Sequence, residues 1–218
     1  MFGFPGQTLD QWHDDLRMAL QLDVEHISAY SLMYEEGTPL YEMLMRHEVE
    51  EIDEQKYIIM YKTLVEMLKA AGYEHYEISN FARPGKRSRH NSSYWTDTPY
   101  LGIGAGAHSY DGTCRMSHVT DVGQYIAAIN QGILPEETEL LSADERYNDM
   151  VTTAMRTAEG ISISELTQKF GQQKTDYLLK NAQKALYNQW LVLEDDRLHL
   201  TLQGIMVSDS VMSDLMMV

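Results

Sequence analysis

The chain has 218 residues, 44% hydrophobic and 23% charged, which suits one sizeable globular domain or two small ones. Its 17 Lys and Arg stand against 33 Asp and Glu, and the net charge of −16 argues against a polyphosphate backbone as partner. The single cysteine, Cys114, excludes an internal disulfide and any cluster site built from three or four cysteines of this chain. No apolar run reaches the roughly 20 residues that span a bilayer, and no signal peptide opens the chain. The expectation is a cytoplasmic protein without a transmembrane segment.

The opening Phe2-Gly3-Phe4-Pro5-Gly6 reads as a strand end running into a turn, and predicts that a further portion precedes it. Thr8 and Gln11 form a capping-box pattern, and Trp12, Leu16, Ala19 and Leu20 recur at helical spacing, predicting a helix over 9–22. His26 to Leu32 reads as a buried strand ended by Gly37-Thr38-Pro39. Tyr57, Tyr61, Leu64 and Leu68 predict a helix over 53–71 closed by Gly72, and Tyr73 to Ile78 the next strand. This alternation suggests βα units and a parallel sheet. Asn80 to Asp97 is polar and reads as an ordered loop. A Gly-rich run, Leu101 to His108, suits a backbone that approaches something closely. A helix is expected near 121–131.

Composition changes near Pro135. Capping-box patterns at Ser142/Glu145 and Ser162/Glu165 predict helices to about Ala158 and Gly171, followed by a helix over 175–189. Leu191-Val192-Leu193, Glu194-Asp195-Asp196 and Arg197 to Leu200 read as strand, turn and strand, with a last helix from Leu202. Three helices and a hairpin make a winged-helix-like pattern.

Several constellations could carry chemistry. The Gly3 to Thr8 turn either presents backbone N–H groups to an anion or is a simple βα turn. In Arg89-His90-Asn91-Ser92-Ser93-Tyr94-Trp95, His90 could ligate a metal, while Tyr94 and Trp95 could stack on a flat ligand; the alternative is that the aromatics only anchor a loop. Haem iron accepts axial His or Tyr, and basic side chains pair with propionates. Arg83, Lys86, Arg87 and Arg89 form a short basic cluster that could meet propionates, a membrane surface or solvent. Cys114 and His118 make at most a partial metal site, and Glu35 and Glu36 read as a solvated loop.

Taken together, Gly3-Phe4-Pro5-Gly6-Gln7-Thr8, His26 to Leu32, Glu36-Gly37-Thr38-Pro39, Tyr76-Glu77-Ile78-Ser79-Asn80-Phe81-Ala82 and Tyr100 to Ser109 resemble the C-terminal part of HemW/HemN-type radical S-adenosylmethionine (SAM) proteins. That resemblance implies an α/β fold: the end of a (β/α) partial TIM-like barrel over 1–134, then a small helical winged-helix-like domain over 135–218. His90-Asn91-x-x-Tyr94-Trp95 resembles the H-N-x-x-Y-W motif of the HemW branch, which implies haem as ligand, His90, Asn91, Tyr94 and Trp95 as its contacts, and His90 as candidate iron ligand. The resemblance also implies SAM contacts at Phe2, Gly3, Met33, Ala107 and His108.

The family's C-x3-C-x2-C motif for a [4Fe–4S] cluster is absent. No cluster and no catalytic residue are therefore expected in this chain, which reads as truncated and not competent for radical chemistry alone. The expected partners are haem or porphyrin, haem-acceptor proteins, and a second copy through an open sheet edge. Two alternatives stand beside the haem chaperone that resemblance to the HemW branch implies. One is a HemN-like coproporphyrinogen III oxidase completed by an upstream part. The other is an acidic winged-helix interaction module, whose Glu194-Asp195-Asp196 turn disfavours nucleic acid.

Overall fold

The first helix forms where its cap places it. In the computed structural model, which describes residues 1–217, Thr8 Oγ1 accepts from Gln11 N–H and the Gln11 side chain accepts from Thr8 N–H, opening α1 (Leu9–Gln21). Two compact units follow from the contacts, Met1–Ser88 and Arg89 onward.

The first unit continues with β1 (His26–Ser28), α2 (Pro39–Met45), α3 (Glu54–Ala70), β2 (Glu74–Glu77) and β3 (Asn80–Ala82). Its core is aromatic and anchored at the chain start. Phe2 is buried and stacks on Trp12 and Tyr57, with centroids 5.1 and 5.7 Å away. Trp12 Nε1 donates to the Met60 carbonyl at 2.9 Å, tying α1 to α3. Met60, Tyr61, Leu64, Val65 and Leu68 form the buried stripe of α3, as the period predicts.

The expected parallel sheet is only partly realised. Phe2 makes a parallel bridge with Ser31, and β1 and β2 run the same way, but β3 turns back between them. The reason is local. The Glu77 carboxylate accepts from Ser79 N–H at 2.9 Å and Asn80 Nδ2 at 2.5 Å, which closes a tight turn before the chain can cross over. The stretch Asn80–Asp97 is thus not a loop throughout; β3 lies at its start and a helix near its end.

The second unit opens with that helix, α4 (Arg89–Trp95), then β4 (His108–Tyr110), β5 (Cys114–His118), α5 (Val122–Asn130) and β6 (Glu136–Leu140). The three strands form an antiparallel sheet ordered β4-β5-β6. There follow α6 (Ala143–Ala154), β7 (Ile161–Ser162), α7 (Ile163–Phe170), α8 (Gln172–Tyr187), β8 (Leu191–Glu194), β9 (Arg197–Leu200), α9 (Leu202–Ile205) and α10 (Ser208–Leu215). The winged-helix-like pattern is present, with a sheet ordered β7-β9-β8. Its hairpin turn places Asp195 and Asp196 at φ 46° and 71°, the left-handed pair that a two-residue hairpin requires.

Composition divides the chain at 134/135, whereas the compact units meet at Ser88 and Arg89. The physical reason lies within the second unit. Arg115 pairs with Asp149 at 2.7 Å, Arg156 lies 5.4 Å over the Trp95 ring, and Lys169 reaches Asp97. Residues 89–134 therefore pack with the helical portion.

Candidate functional site

The motif residues sit on α4, a helix that buries none of its side chains completely. Helical spacing puts His90 and Tyr94 on one face. Their rings meet edge to face, centroids 5.1 Å apart, and Tyr94 Oη lies 3.3 Å from His90 Nε2. Both are exposed, while Asn91 and Trp95 are half-buried. The four residues named from the motif thus share one short helix, with two of them in direct contact.

An aromatic ladder supports this face. Tyr94 packs edge to face on Tyr100 at 4.8 Å, and Tyr100 lies 6.3 Å from Tyr110. Tyr100 and Tyr110 also form a backbone bridge, each N–H donating to the other's carbonyl at 2.9 Å. The Tyr110 hydroxyl donates to Asp97 at 2.7 Å, and Lys169 pairs with the same carboxylate. Burial, and then the Asp97 carboxylate, push the Tyr110 phenol well above its ordinary range. Burial, and then Tyr94, also raise Tyr100. Tyr94, Trp95, Tyr100, Tyr110, Arg115 and Asp149 line a cavity of about 180 Å³. Trp95 Nε1 is buried without a hydrogen-bond partner among the described residues.

The Gly-rich run does approach something closely, but that is its own backbone. A Cβ on Gly102 would lie 2.1 Å from the His108 carbonyl oxygen. The Ser109 hydroxyl meanwhile accepts from Gly102 N–H at 2.9 Å. Gly104 and Gly106 take φ of 117° and 68°, turning the chain toward β4.

The SAM-side residues are divided between the two units. Gly3 and Met33 line a cavity of about 470 Å³ with Ser31, Leu32, Tyr34 and Glu51. Phe2 points into the core, and its backbone is paired with Tyr30 and Leu32. Ala107 and His108 belong to the other unit. The Tyr34 hydroxyl is buried without a partner among the described residues, and burial and Glu51 raise its pKa.

Three other sequence readings resolve differently. The Gly3 to Thr8 turn offers no ready anion site: Gln7 Oε1 accepts from Gly3 N–H at 2.8 Å and Phe4 N–H at 3.3 Å, and Gln11 takes the Thr8 N–H. The basic cluster is largely neutralised in place. Arg83 pairs with Asp23, Lys86 with Glu25 at 2.7 Å and Arg87 with Glu74 at 3.1 Å, while Arg89 lies on α4 beside His90. Cys114 and His118 stand at opposite ends of β5, about 13 Å apart along the strand. His118 instead contacts the Gly104 carbonyl and Glu136, at 2.9 and 3.5 Å. Among the described residues no group of three or more His, Cys, Asp or Glu is placed to hold a metal ion.

Known proteins resemble this chain in sequence and, for one solved structure, in fold. Residues 141–207 match the HemN C-terminal domain. "Heme chaperone HemW" of Bacillus subtilis is 33% identical over 97% of this chain and 56% of its own length. The Lactococcus lactis protein of the same name is 31% identical over 97% of this chain and 55% of its own. The chain is similar to the HemW/HemN family. It corresponds to that family's C-terminal part, and spans about half the length of the curated relatives it matches. The radical S-adenosyl methionine domain-containing protein 1 of Bos taurus is 30% identical over 99% of this chain. Coproporphyrinogen III oxidase (HemN) from Escherichia coli superposes with a TM-score of 0.74 at 16% identity, over 98% of this chain and 53% of its own. That likeness shows the α/β fold of the family's C-terminal part.

Among the described residues no helix is long and apolar enough to cross a membrane. Sequence reasoning missed Asp97, Tyr100, Tyr110, Arg115 and Lys169 as supports of the α4 face. They come from separate elements, and no local pattern joins them.

Proposed function

We propose that this chain binds haem on the exposed face of α4 and serves as the haem-binding part of a HemW-like haem chaperone. The observation that carries this reading is the His90–Tyr94 pair. It sets two side chains of the kinds that ligate haem iron 3.3 Å apart on an open helix face, inside a motif of the HemW type. The donor set fits haem as cargo. The adjoining cavity of about 180 Å³ is smaller than the 300–1,000 Å³ that encloses a typical ligand, so an exposed face suits a planar macrocycle better than that cavity does. Titrating haemin into the full chain should develop a shifted Soret band, and the His90→Ala/Tyr94→Phe double variant should lose it. An identical titration in that variant would remove the assignment.

For SAM, the proposed contacts are Gly3 and Met33, on the cavity that the Tyr34 hydroxyl and Glu51 also line. A buried hydroxyl without a partner beside a carboxylate suits a ligand that carries both hydroxyls and positive charge. Tyr34→Phe should weaken SAM retention in equilibrium dialysis, and equal retention would discard this site. Cys114 is the only cysteine in the sequence, so a cluster held by several cysteines would take its ligands from outside these residues. The same reading places the chain in the cytoplasm, where a lone reduced cysteine is ordinary, with a haem-acceptor protein as partner.

A further inference from the structure

We infer that the iron-binding atom of the α4 face is the phenol oxygen of Tyr94, and that His90 holds this oxygen by a hydrogen bond instead of ligating iron itself. The inference rests on the haem reading above and names its ligand chemistry.

The geometry separates the two candidates. His90 Nε2, the ring nitrogen farther from the backbone, already contacts Tyr94 Oη at 3.3 Å. Ligation through Nε2 would break that contact. A phenol oxygen has a proton to lose and lone pairs to spare. Once deprotonated, it can bind a metal and still accept an N–H from His90. Tyrosine ligation preserves the pair, and histidine ligation through Nε2 destroys it.

Orientation points the same way. The Tyr94 ring is braced by Tyr100 at 4.8 Å and an interplanar angle of 74°, and the brace continues to Tyr110 and its bond to Asp97. His90 makes its ring contact with Tyr94 itself. The better-fixed side chain of the two is therefore the tyrosine, which remains 38% exposed and open to a ligand. Tyrosinate is also an established kind of axial haem ligand.

The step balances without an oxidant or reductant. The Tyr94 O–H bond breaks with its proton released to water, and a phenolate lone pair forms the O–Fe bond as a water leaves ferric haem. Iron stays ferric throughout. A His90 ring N–H then donates to the iron-bound oxygen, a charge-assisted hydrogen bond.

Ferric haemin bound to the full chain provides the test, read by optical and resonance Raman spectra. The wild type should show a phenolate-to-iron charge-transfer band and phenolate vibrations. Tyr94→Phe should lose both. His90→Gln should keep both while binding haemin about tenfold more weakly, the scale of one lost hydrogen bond. Tyr94→His should restore ligation with an imidazole spectrum, which decides the matter should Tyr94→Phe fold poorly in circular dichroism. Haemin bound to the wild type without a phenolate signature, or a Tyr94→Phe spectrum identical to the wild type, overturns this inference and leaves haem binding standing. A wild type that binds no haemin overturns the haem reading itself.

Discussion

Two regions of the second unit are built on opposite plans. From Tyr147 to Leu215, apolar side chains close into one core in which Tyr147, Val151, Ile161, Leu166, Leu178 and Leu198 have lost all contact with solvent. From Arg89 to Tyr110, aromatic rings contact one another in a chain, and α4 buries none of its residues completely. Burial of apolar area stabilises the first region and takes those core side chains out of reach of a ligand. The second region forgoes part of that stabilisation and keeps a phenol and an imidazole within reach of a ligand. Local openness of this kind is what binding surfaces require.

The largest expected effect tests the core. Leu198→Ala removes a fully buried side chain from β9, and should cost about 2–5 kcal/mol of unfolding free energy in urea titrations. Haemin affinity of the folded fraction should not change. A parallel loss of affinity would mean that the two regions are energetically one, and the comparison would fail. The reverse pattern is expected of Tyr100→Leu. Losing an aromatic pair beneath Tyr94 should cost only about 0.5–1.5 kcal/mol in stability. It should nevertheless loosen Tyr94 and weaken haemin binding measurably. A variant with a large stability loss and unaltered binding would make the ladder a packing device and no more.

The same contrast explains what was legible beforehand. Periodicity reveals elements that bury one face, so α1, α3, α8 and the β8–β9 hairpin fall close to their expected positions. It fails where little is buried. Glu136–Leu140 pairs with β5 along its whole length, yet four of its five residues are exposed and three are glutamates, so no alternation marks it as a strand. Asn80–Ala82 and Arg89–Trp95 are too short for a period to show, and the intervening Pro84-Gly85 reads as loop. With α4 read as loop, the i, i+4 relation of His90 and Tyr94 had no meaning. The motif named the residues, and only the helix brings them together. Asp97 and Lys169 stand 72 positions apart, and nothing local connects them.

The smallest expected effect concerns the acidic hairpin turn, and it sharpens the view of the helical core as structural. Asp196 accepts from the Ser162 hydroxyl at 2.9 Å, from Ser164 N–H at 3.1 Å and from the Ser164 hydroxyl at 2.6 Å. A carboxylate at the first turn of α7 meets free N–H groups and the positive end of the helix dipole. The Ser164 bond, followed by the Ser162 bond, holds the Asp196 carboxyl below the usual aspartate range. A carboxyl whose folded pKa is depressed contributes stability above its unfolded value and loses it as pH falls through the folded one. The melting temperature of Asp196→Asn should therefore lie slightly below the wild type at neutral pH. The two should converge as pH drops below about 4, where the unfolded aspartate titrates. A gap that persists or widens in acid would show that the carboxylate's charge does not hold this turn. Such a result would reopen the turn as a surface for a cationic partner, in place of the internal cap that its hydrogen bonds describe.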